Sequence, residues 1–306
     1  MDRLEAMFVL VAAVEAGSLS AASRRLGIPL ATVSRKVSEL EARLGTRLLN
    51  RSSRRLTPTE AGRSYVEACK HILDDVGEAE RAASGEYTAP RGDLIVTAPV
   101  VFGRLHVLPV VAEFLATYRE IDVRIVLADR VVNLFEEHVD LAVRIGMLPD
   151  SNLAATRIGA IRRVICASPA YFEERGMPQH PSDLESHDCI TFEALNAPHA
   201  WPFPVGKSHV SVPIHSRLVV NTAEAAIDAA IAGLGVTRVL SYQVRAAVQE
   251  RLLALALADF EPTPWPVSLL HGGGRLLPLK VRAFLDFVAP RLRARLAAMG
   301  GDAALR

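Results

Sequence analysis

GIPLATVSRK (residues 27–36) places a turn directly before the start of a helix. Gly27 suits the left-handed residue that closes a preceding helix, and Pro29 has a fixed φ suited to a first helical turn. Beyond it Val33, Val37, Leu40 and Leu44 recur at 4-3-4 spacing and line one face, until Gly45 ends the pattern. With Val33 at zero and about 100° per residue, Arg35 falls near about 200° and Thr32 near about 260°, and Ala31 and Ser38 share that far side. Lys36 lies off to one side, placed to meet a phosphate. A long guanidinium among small hydroxyl residues suits a helix entering a DNA major groove. Arginine can pair two-pronged with guanine, and a threonine methyl can meet a thymine methyl. A merely solvated helix face could carry the same two cations, so the neighbouring sequence has to separate the readings.

Upstream, a first helix runs from about Arg3 to Ala16 and is stopped by Gly17, and Ser20 is placed to cap a second, Ala21–Leu26. Downstream, LLNRSSRRLT (48–57) alternates around a Ser-Ser turn and reads as a short two-stranded wing. Its Arg51, Arg54 and Arg55 suit phosphates or the adjacent minor groove. The outline is an N-terminal all-α winged helix-turn-helix. Charge supports it. The net charge is only +1, yet residues 20–56 hold nine Lys/Arg against two Asp/Glu, a local +7. A concentrated basic patch on a neutral chain is a footprint for a polyanion. The candidate contacts are Ser20, Ser23, Pro29, Leu30, Ala31, Thr32, Ser34, Arg35, Lys36 and Ser38, with the three wing arginines.

Thr57-Pro58-Thr59-Glu60 reads as a capping box with proline at the first helical position. Tyr65, Cys69, Ile72, Val76, Ala79 and Ala83 follow at 4-3-4-3-4 spacing, a heptad seam on a helix of about 27 residues or ~40 Å. The expectation is a long linker helix that pairs with a second copy, giving a homodimer or homotetramer. The rival is packing on its own domain. Gly85–Gly92, with Pro90, forms the hinge.

From Asp93 strands alternate with helices. DLIVTAP, DVRIVLAD and DLAVRIG read as strands, with VLPVVAEFLATY and RVVNLFEEHV as helices between them. RRVICAS, CITFE, an edge ribbon at 209–219, GVTRVL and WPVSLLHGG add strands. Short helices fall near Pro169–Glu174 and at TAEAAIDAAIAG, and LPLKVRAFLDFVAPRLRARL is a long final helix. This is α/β with largely parallel pairing expected. Two such lobes joined by crossing segments make a cleft faced by strand ends. The domains divide as 1–60 (winged helix-turn-helix), 61–91 (linker helix and hinge) and 92–306. In the last, lobe I covers about 92–161 and 266–306, and lobe II about 162–265.

Other classes find little support. His271-Gly272-Gly273-Gly274 has the form of an esterase oxyanion loop, but no G-x-S-x-G elbow accompanies it. Gly233-Leu234-Gly235 lacks the third glycine of a dinucleotide fingerprint and follows a helix. The nine histidines show no metal-ligand pattern, and His187-Asp188-Cys189 is an isolated coincidence. No enzyme activity, cofactor or metal is expected. Cys69, Cys166 and Cys189 are odd in number and far apart, which fits buried thiols in a reducing cytosol rather than a disulfide framework. The N-terminal apolar run, Met7–Val14, is too short for a bilayer and lacks a cleavage pattern. The protein is expected to be cytoplasmic, with no membrane partner.

The run FVLVAAVEAGSLSAASRRLGIPLATVSRKVSELEARLGTRLLNRSSRRLTPTEAG (8–62) resembles the LysR-type transcriptional regulators in its A-A-x-x-L, S-R, L-E-x-x-L-G and L-T-x-x-G pattern. VTAPVVFGR, DLAVRIG, AGLGV and LPLKVRAFLDFVAPRLR resemble the effector-binding domain of its CrgA-like branch, so the resemblance covers essentially the whole chain. It implies a two-lobed domain like the periplasmic binding proteins, with a small effector in the cleft controlling DNA binding or bending. The implied DNA contacts are Leu30, Ala31, Thr32, Ser34 and Arg35, with Arg54 on the wing. The effector candidates are Pro99, Val100, Val101, Phe102, Gly103, Asp129, Arg130, Arg144 and Ile145, with Phe192, Asn221 and Thr222 from the second lobe. Arg144 is either an anion anchor or an ion-pair partner of Asp129 or Asp140. Double-stranded DNA bearing an inverted repeat is the implied partner, with RNA polymerase a further candidate. Pro29-Leu30-Ala31 departs from the serine-glutamine-proline usual at the start of that helix.

Overall fold

A computed structural model describes residues 2–51, 56–83, 89–130, 132–134, 137–148, 153–192, 199–206, 208–272 and 277–300. The chain forms two compact units, 1–92 and 93–306.

In the first unit, α1 (Arg3–Glu15), α2 (Leu19–Leu26) and α3 (Leu30–Leu44) pack around Leu10, Ala22, Val33, Val37 and Leu40. The α3 seam expected from the 4-3-4 spacing is buried except at Leu44, which is 41% exposed. Ser18, not Ser20, caps α2: its side chain accepts from the Ala21 N–H at 3.1 Å. Gly27 closes α2 at φ 67°, and the Ile28 N–H returns to the Ser23 carbonyl. Strands β1 (Leu49–Arg51) and β2 (Leu56–Pro58) pair antiparallel as the wing. The long helix α4 (Glu60–Ala83) starts one residue past its cap, Thr59, whose Oγ1 accepts from the Gly62 N–H at 2.9 Å. Thr57-Pro58 belongs to β2, so the cap is Thr59 rather than Thr57, and Gly62 three residues on has no side chain to complete a capping box.

In the second unit, one sheet has the order β4-β3-β5-β14-β6 and the other β11-β8-β12-β7-β13. The first comprises β3 (Gly92–Ala98), β4 (Ile121–Leu127), β5 (Leu141–Ile145), β6 (Leu153–Ile161) and β14 (Trp265–Gly272). The second comprises β7 (Arg163–Ala167), β8 (Asp188–Phe192), β11 (His215–Val220), β12 (Val236–Leu240) and β13 (Ala254–Ala256). The chain crosses between sheets at Arg162, which joins β6 to β7, and again before β14. Hairpin β9–β10 (Ala200–Val205, Ser208–Pro213) covers one face of the second sheet.

Helices α5 (Val100–Phe102) and α6 (Leu108–Thr117) are joined by a wide π-helical turn, and with α10 (Leu279–Gly300) they pack on the first sheet. The run 100–117 is apolar and long enough to cross a membrane, but Val101, Phe102, Val107, Val110, Val111 and Phe114 face this core. Helices α8 (Ala223–Ile231) and α9 (Ser241–Gln249) pack on the second sheet, and α7 (Pro169–Arg175) precedes its β8.

Two expectations need correcting. Pairing is mixed, not largely parallel: β3–β5, β8–β11 and β8–β12 run parallel, while β14 and β7 pair antiparallel with both neighbours. These two strands sit where the chain changes lobes, so they enter their sheets reversed. RVVNLFEEHV forms no helix among its described residues; it makes turns that bury Val132, Leu134 and Val139 under the first sheet.

Candidate DNA-binding face and interlobe cleft

Pro29, Leu30, Ala31 and Arg35 are exposed on α3, and Thr32 and Ser34 are half-exposed beside them. Leu30 is 47% exposed although it opens the helix. Pro29 is the N-cap and offers no side-chain hydrogen bond, so the first turn closes only on the Pro29 carbonyl, from Thr32 and Val33. The Arg35 Nη1 lies 3.0 Å from the Glu39 Oε1, with the Arg35 side chain 65% exposed.

Lys36 is not held free for a phosphate as expected. Its side chain is only 12% exposed and its ammonium pairs with Glu5 of α1. It clamps α3 to α1. The Ser23 hydroxyl donates to the Ile28 carbonyl at 2.6 Å and holds the turn, whereas Ser20 is exposed. Ser38 has an intramolecular partner of its own. Arg54 and Arg55 lie outside the described residues, as does the side chain of Arg51.

Three motif residues act through packing rather than contact. The Glu41 Oε1 accepts from the Leu48 and Leu49 N–H groups at 2.9 and 3.0 Å, which ties the end of α3 to the wing. The Thr59 Oγ1 donates to the Arg47 carbonyl at 2.8 Å. A Cβ on Gly62 would stand 1.9 Å from the Leu48 carbonyl oxygen, so only glycine lets α4 approach the wing so closely.

The heptad seam on α4 divides. Cys69 is fully buried and Tyr65 half-buried in the first unit's own core, with Val66 beside them. These two therefore face inward, not toward a second copy, because α4 packs along α1. Ile72 is 41% exposed and Val76 half-exposed, while nothing is described of the Ala79 and Ala83 side chains.

In the second unit, the C-terminal ends of β3, β4 and β5 converge. The Asp129 Oδ1 accepts from the Val100 N–H at 3.0 Å, and Arg130 makes a two-pronged pair with Glu137 at 2.6 and 2.5 Å. Both are thus already engaged. Arg144 pairs with neither Asp129 nor Asp140: its buried Nη2 has no hydrogen-bond partner among the described residues, and Asp140 accepts from the Ile95 N–H at 2.7 Å. The side chains of Val101 and Phe102 face the core and are not offered to a ligand, and Gly103 is buried against Leu127. Pro99, Val100 and Ile145 are half-buried at the strand ends.

On the second sheet, Phe192 and Val220 sit side by side at the ends of parallel β8 and β11. Thr222 caps α8 by accepting from the Ala225 N–H at 3.2 Å, and Asn221 is exposed next to it. The lobes meet through an Arg104–Glu224 ion pair at 3.2 Å and through Tyr242. Tyr242 stands edge-on to Phe102 at 5.5 Å and to His106 at 5.6 Å. Burial raises the Tyr242 pKa and lowers that of His106 to about 4, helped by Arg295 and Arg245. Sequence reasoning missed this aromatic link because it read no helix at 241–249. Val244, Ala247 and Val248, at 3-1 spacing after Leu240, carry the signal.

All three cysteines are free and buried, and burial lifts the Cys166 and Cys189 thiols to about 12. Among the described residues no group of three His, Cys, Asp or Glu could hold a metal ion.

A winged helix-turn-helix unit followed by a two-lobed α/β unit defines a class of two-part regulators. Residues 4–63 match the family model for the bacterial regulatory helix-turn-helix protein, lysR family, and 88–293 that for the LysR substrate binding domain. An HTH-type transcriptional regulator of Xanthomonas campestris is 38% identical over 93% of this chain and 84% of its own. CrgA, a LysR-type transcriptional regulator of Neisseria meningitidis, matches at 29% identity and TM-score 0.60 over 94% of this chain and 98% of its own. The Vibrio cholerae virulence activator AphB matches at 27% and 0.59 over the same shares. The chain belongs to the LysR family of transcriptional regulators.

Proposed function

We propose that this regulator binds double-stranded DNA sequence-specifically through the exposed face of α3, as a homodimer or homotetramer on an inverted repeat. A small molecule held between the lobes of the second unit controls that binding or the bending of the DNA. The observation that carries the reading is the exposed cluster Pro29, Leu30, Ala31, Arg35 on a helix whose opposite face fills the core. Arg35 reads a base edge, and Arg51, Arg54 and Arg55 meet phosphates. Lys36 has left this set. Pairing between copies uses Ile72, Val76 and the segment beyond them on α4, together with Phe8, which is 51% exposed on α1. The cleft is bounded by Pro99, Val100, Arg144 and Ile145 on one side and Phe192, Asn221 and Thr222 on the other. The protein works in the cytoplasm, where the DNA is, and carries no catalytic activity.

Selection of DNA from a random pool by the full-length protein tests this. Enriched sites with two-fold symmetry and a steep fall of affinity with salt are expected. Salt-independent binding with no enriched sequence would remove the assignment.

A further inference from the structure

Two arginines on adjacent strands of the second sheet have no role so far. In antiparallel β7–β12, Leu240 lies opposite Arg163 and Arg238 opposite Ile165. Arg163 and Arg238 are therefore diagonal neighbours on one face of the sheet. Arg163, the first residue of β7, stands opposite Leu240, where β12 ends and leads into Tyr242 and the other lobe, and Arg238 lies two residues earlier on β12. Hairpin β9–β10 covers this face with Trp201 and Phe203.

Arg238 is 3% exposed, and its guanidinium lies over the Phe203 ring at 5.0 Å. Its Nη2 donates to the Pro202 carbonyl at 2.9 Å. Arg163 stacks over the Trp265 ring at 4.2 Å, and its buried Nε has no hydrogen-bond partner among the described residues. Trp265 opens β14, where the chain returns to the first sheet, and its ring lies 3.8 Å from where a Cβ on Gly146 would be. Arg163 thus stands where the second lobe meets the end of β5, with Arg238 behind it under the hairpin.

Among the described residues neither arginine has a carboxylate partner. Burial depresses both guanidinium pKa values, that of Arg238 to about 9 with the Arg163 charge adding to the effect. Two desolvated like charges side by side oppose folding, and a buried charge normally has a counter-charge. A planar oxyanion bridging the two forks would supply that charge and the missing acceptor for Nε.

We propose that Arg163 and Arg238 anchor the oxyanion group, carboxylate or phosphate-like, of the small molecule held between the lobes. The inference rests on the cleft reading above and adds the ligand's charge and its anchor.

The test uses the full-length protein in thermal unfolding and calorimetric titration. The probes are inorganic phosphate, sulfate, benzoate and citrate, with benzamide as the uncharged counterpart of benzoate. At least one oxyanion should stabilise the protein saturably while benzamide does not, and whichever class does so identifies the group. Arg163→Gln and Arg238→Gln should each weaken it by about tenfold or more. Without ligand both variants should unfold at an unchanged or higher temperature, since each removes one of two opposed charges. Should Arg238→Gln not fold, Arg163→Gln reads the same anchor, because the Arg163 guanidinium makes no hydrogen bond within the described residues. Lowered ligand-free stability with unchanged oxyanion affinity would overturn the anchor and leave a structural role. No oxyanion binding at millimolar concentration would also overturn it. A DNA footprint is followed in parallel. An oxyanion bound through both arginines that leaves the footprint unchanged keeps the anchor and refutes control of DNA binding. A footprint shifted only by benzamide does the reverse.

Discussion

Arg35→Ala separates DNA reading from stability. The Arg35 side chain is 65% exposed and pairs with Glu39, four residues on and 39% exposed. An exposed i,i+4 pair with the cation first contributes about 0.3 kcal/mol or less, so unfolding should change by no more than about 0.5 kcal/mol. A two-pronged guanine contact provides about 1–3 kcal/mol of discrimination, so the loss in specific affinity should be about five- to 150-fold. Binding also requires Arg35 to leave Glu39. Glu39→Ala should therefore tighten specific binding by about twofold at low salt, and that gain should shrink when Arg35 is already alanine. Fluorescence anisotropy with a selected site and its scrambled counterpart measures both terms. If Arg35→Ala binds the two DNAs in the wild-type ratio, Arg35 does not read sequence and the reasoning fails.

Lys36→Ala should behave oppositely, lowering stability by about 1 kcal/mol through loss of the Glu5 clamp while leaving the specificity ratio unchanged; urea unfolding beside the same anisotropy assay checks it. Gly62→Ala drives a methyl into the Leu48 carbonyl and should cost more than about 3 kcal/mol or abolish folding of the first unit, read by circular dichroism. His106 has its pKa lowered to about 4 in the folded state, so below the unfolded value of about 6.5 the unfolded chain binds the extra proton. Stability should therefore fall as pH drops from about 6.5 toward 4, by up to about 3 kcal/mol, and His106→Phe should flatten that slope in urea midpoints measured across the window.

Much of this was legible in the residues. The α3 seam, its exposed Arg35 and the wing follow from periodicity and turn chemistry, which act locally. What failed was tertiary. On a helical wheel Lys36 lies off to one side, open to a phosphate, because nothing in its own helix reveals Glu5, 31 positions earlier. Cys69 sat in a heptad register equally suited to a partner or to α1, and only the packing of α4 along α1 selects the latter. RVVNLFEEHV has helical spacing, yet Val132, Leu134 and Val139 bury under the sheet from a turn-rich path. In the cleft, Val101 and Phe102 were expected to line a ligand site, but they are core residues; the strand ends alone do not say which way side chains turn. Arg163 and Arg238 carry no motif, and their proximity appears only once β7 is placed antiparallel to β12.

The central claim is that a ligand in the second unit governs DNA reading by the first. Footprinting of the full-length protein on the DNA flanking its own gene, with and without a panel of small metabolites, tests it most directly. At least one compound should lengthen, shorten or shift the protected region at a fixed protein concentration, and Arg35→Ala should abolish protection in both states. Protection that is identical with every compound, or that survives Arg35→Ala unaltered, would contradict the account.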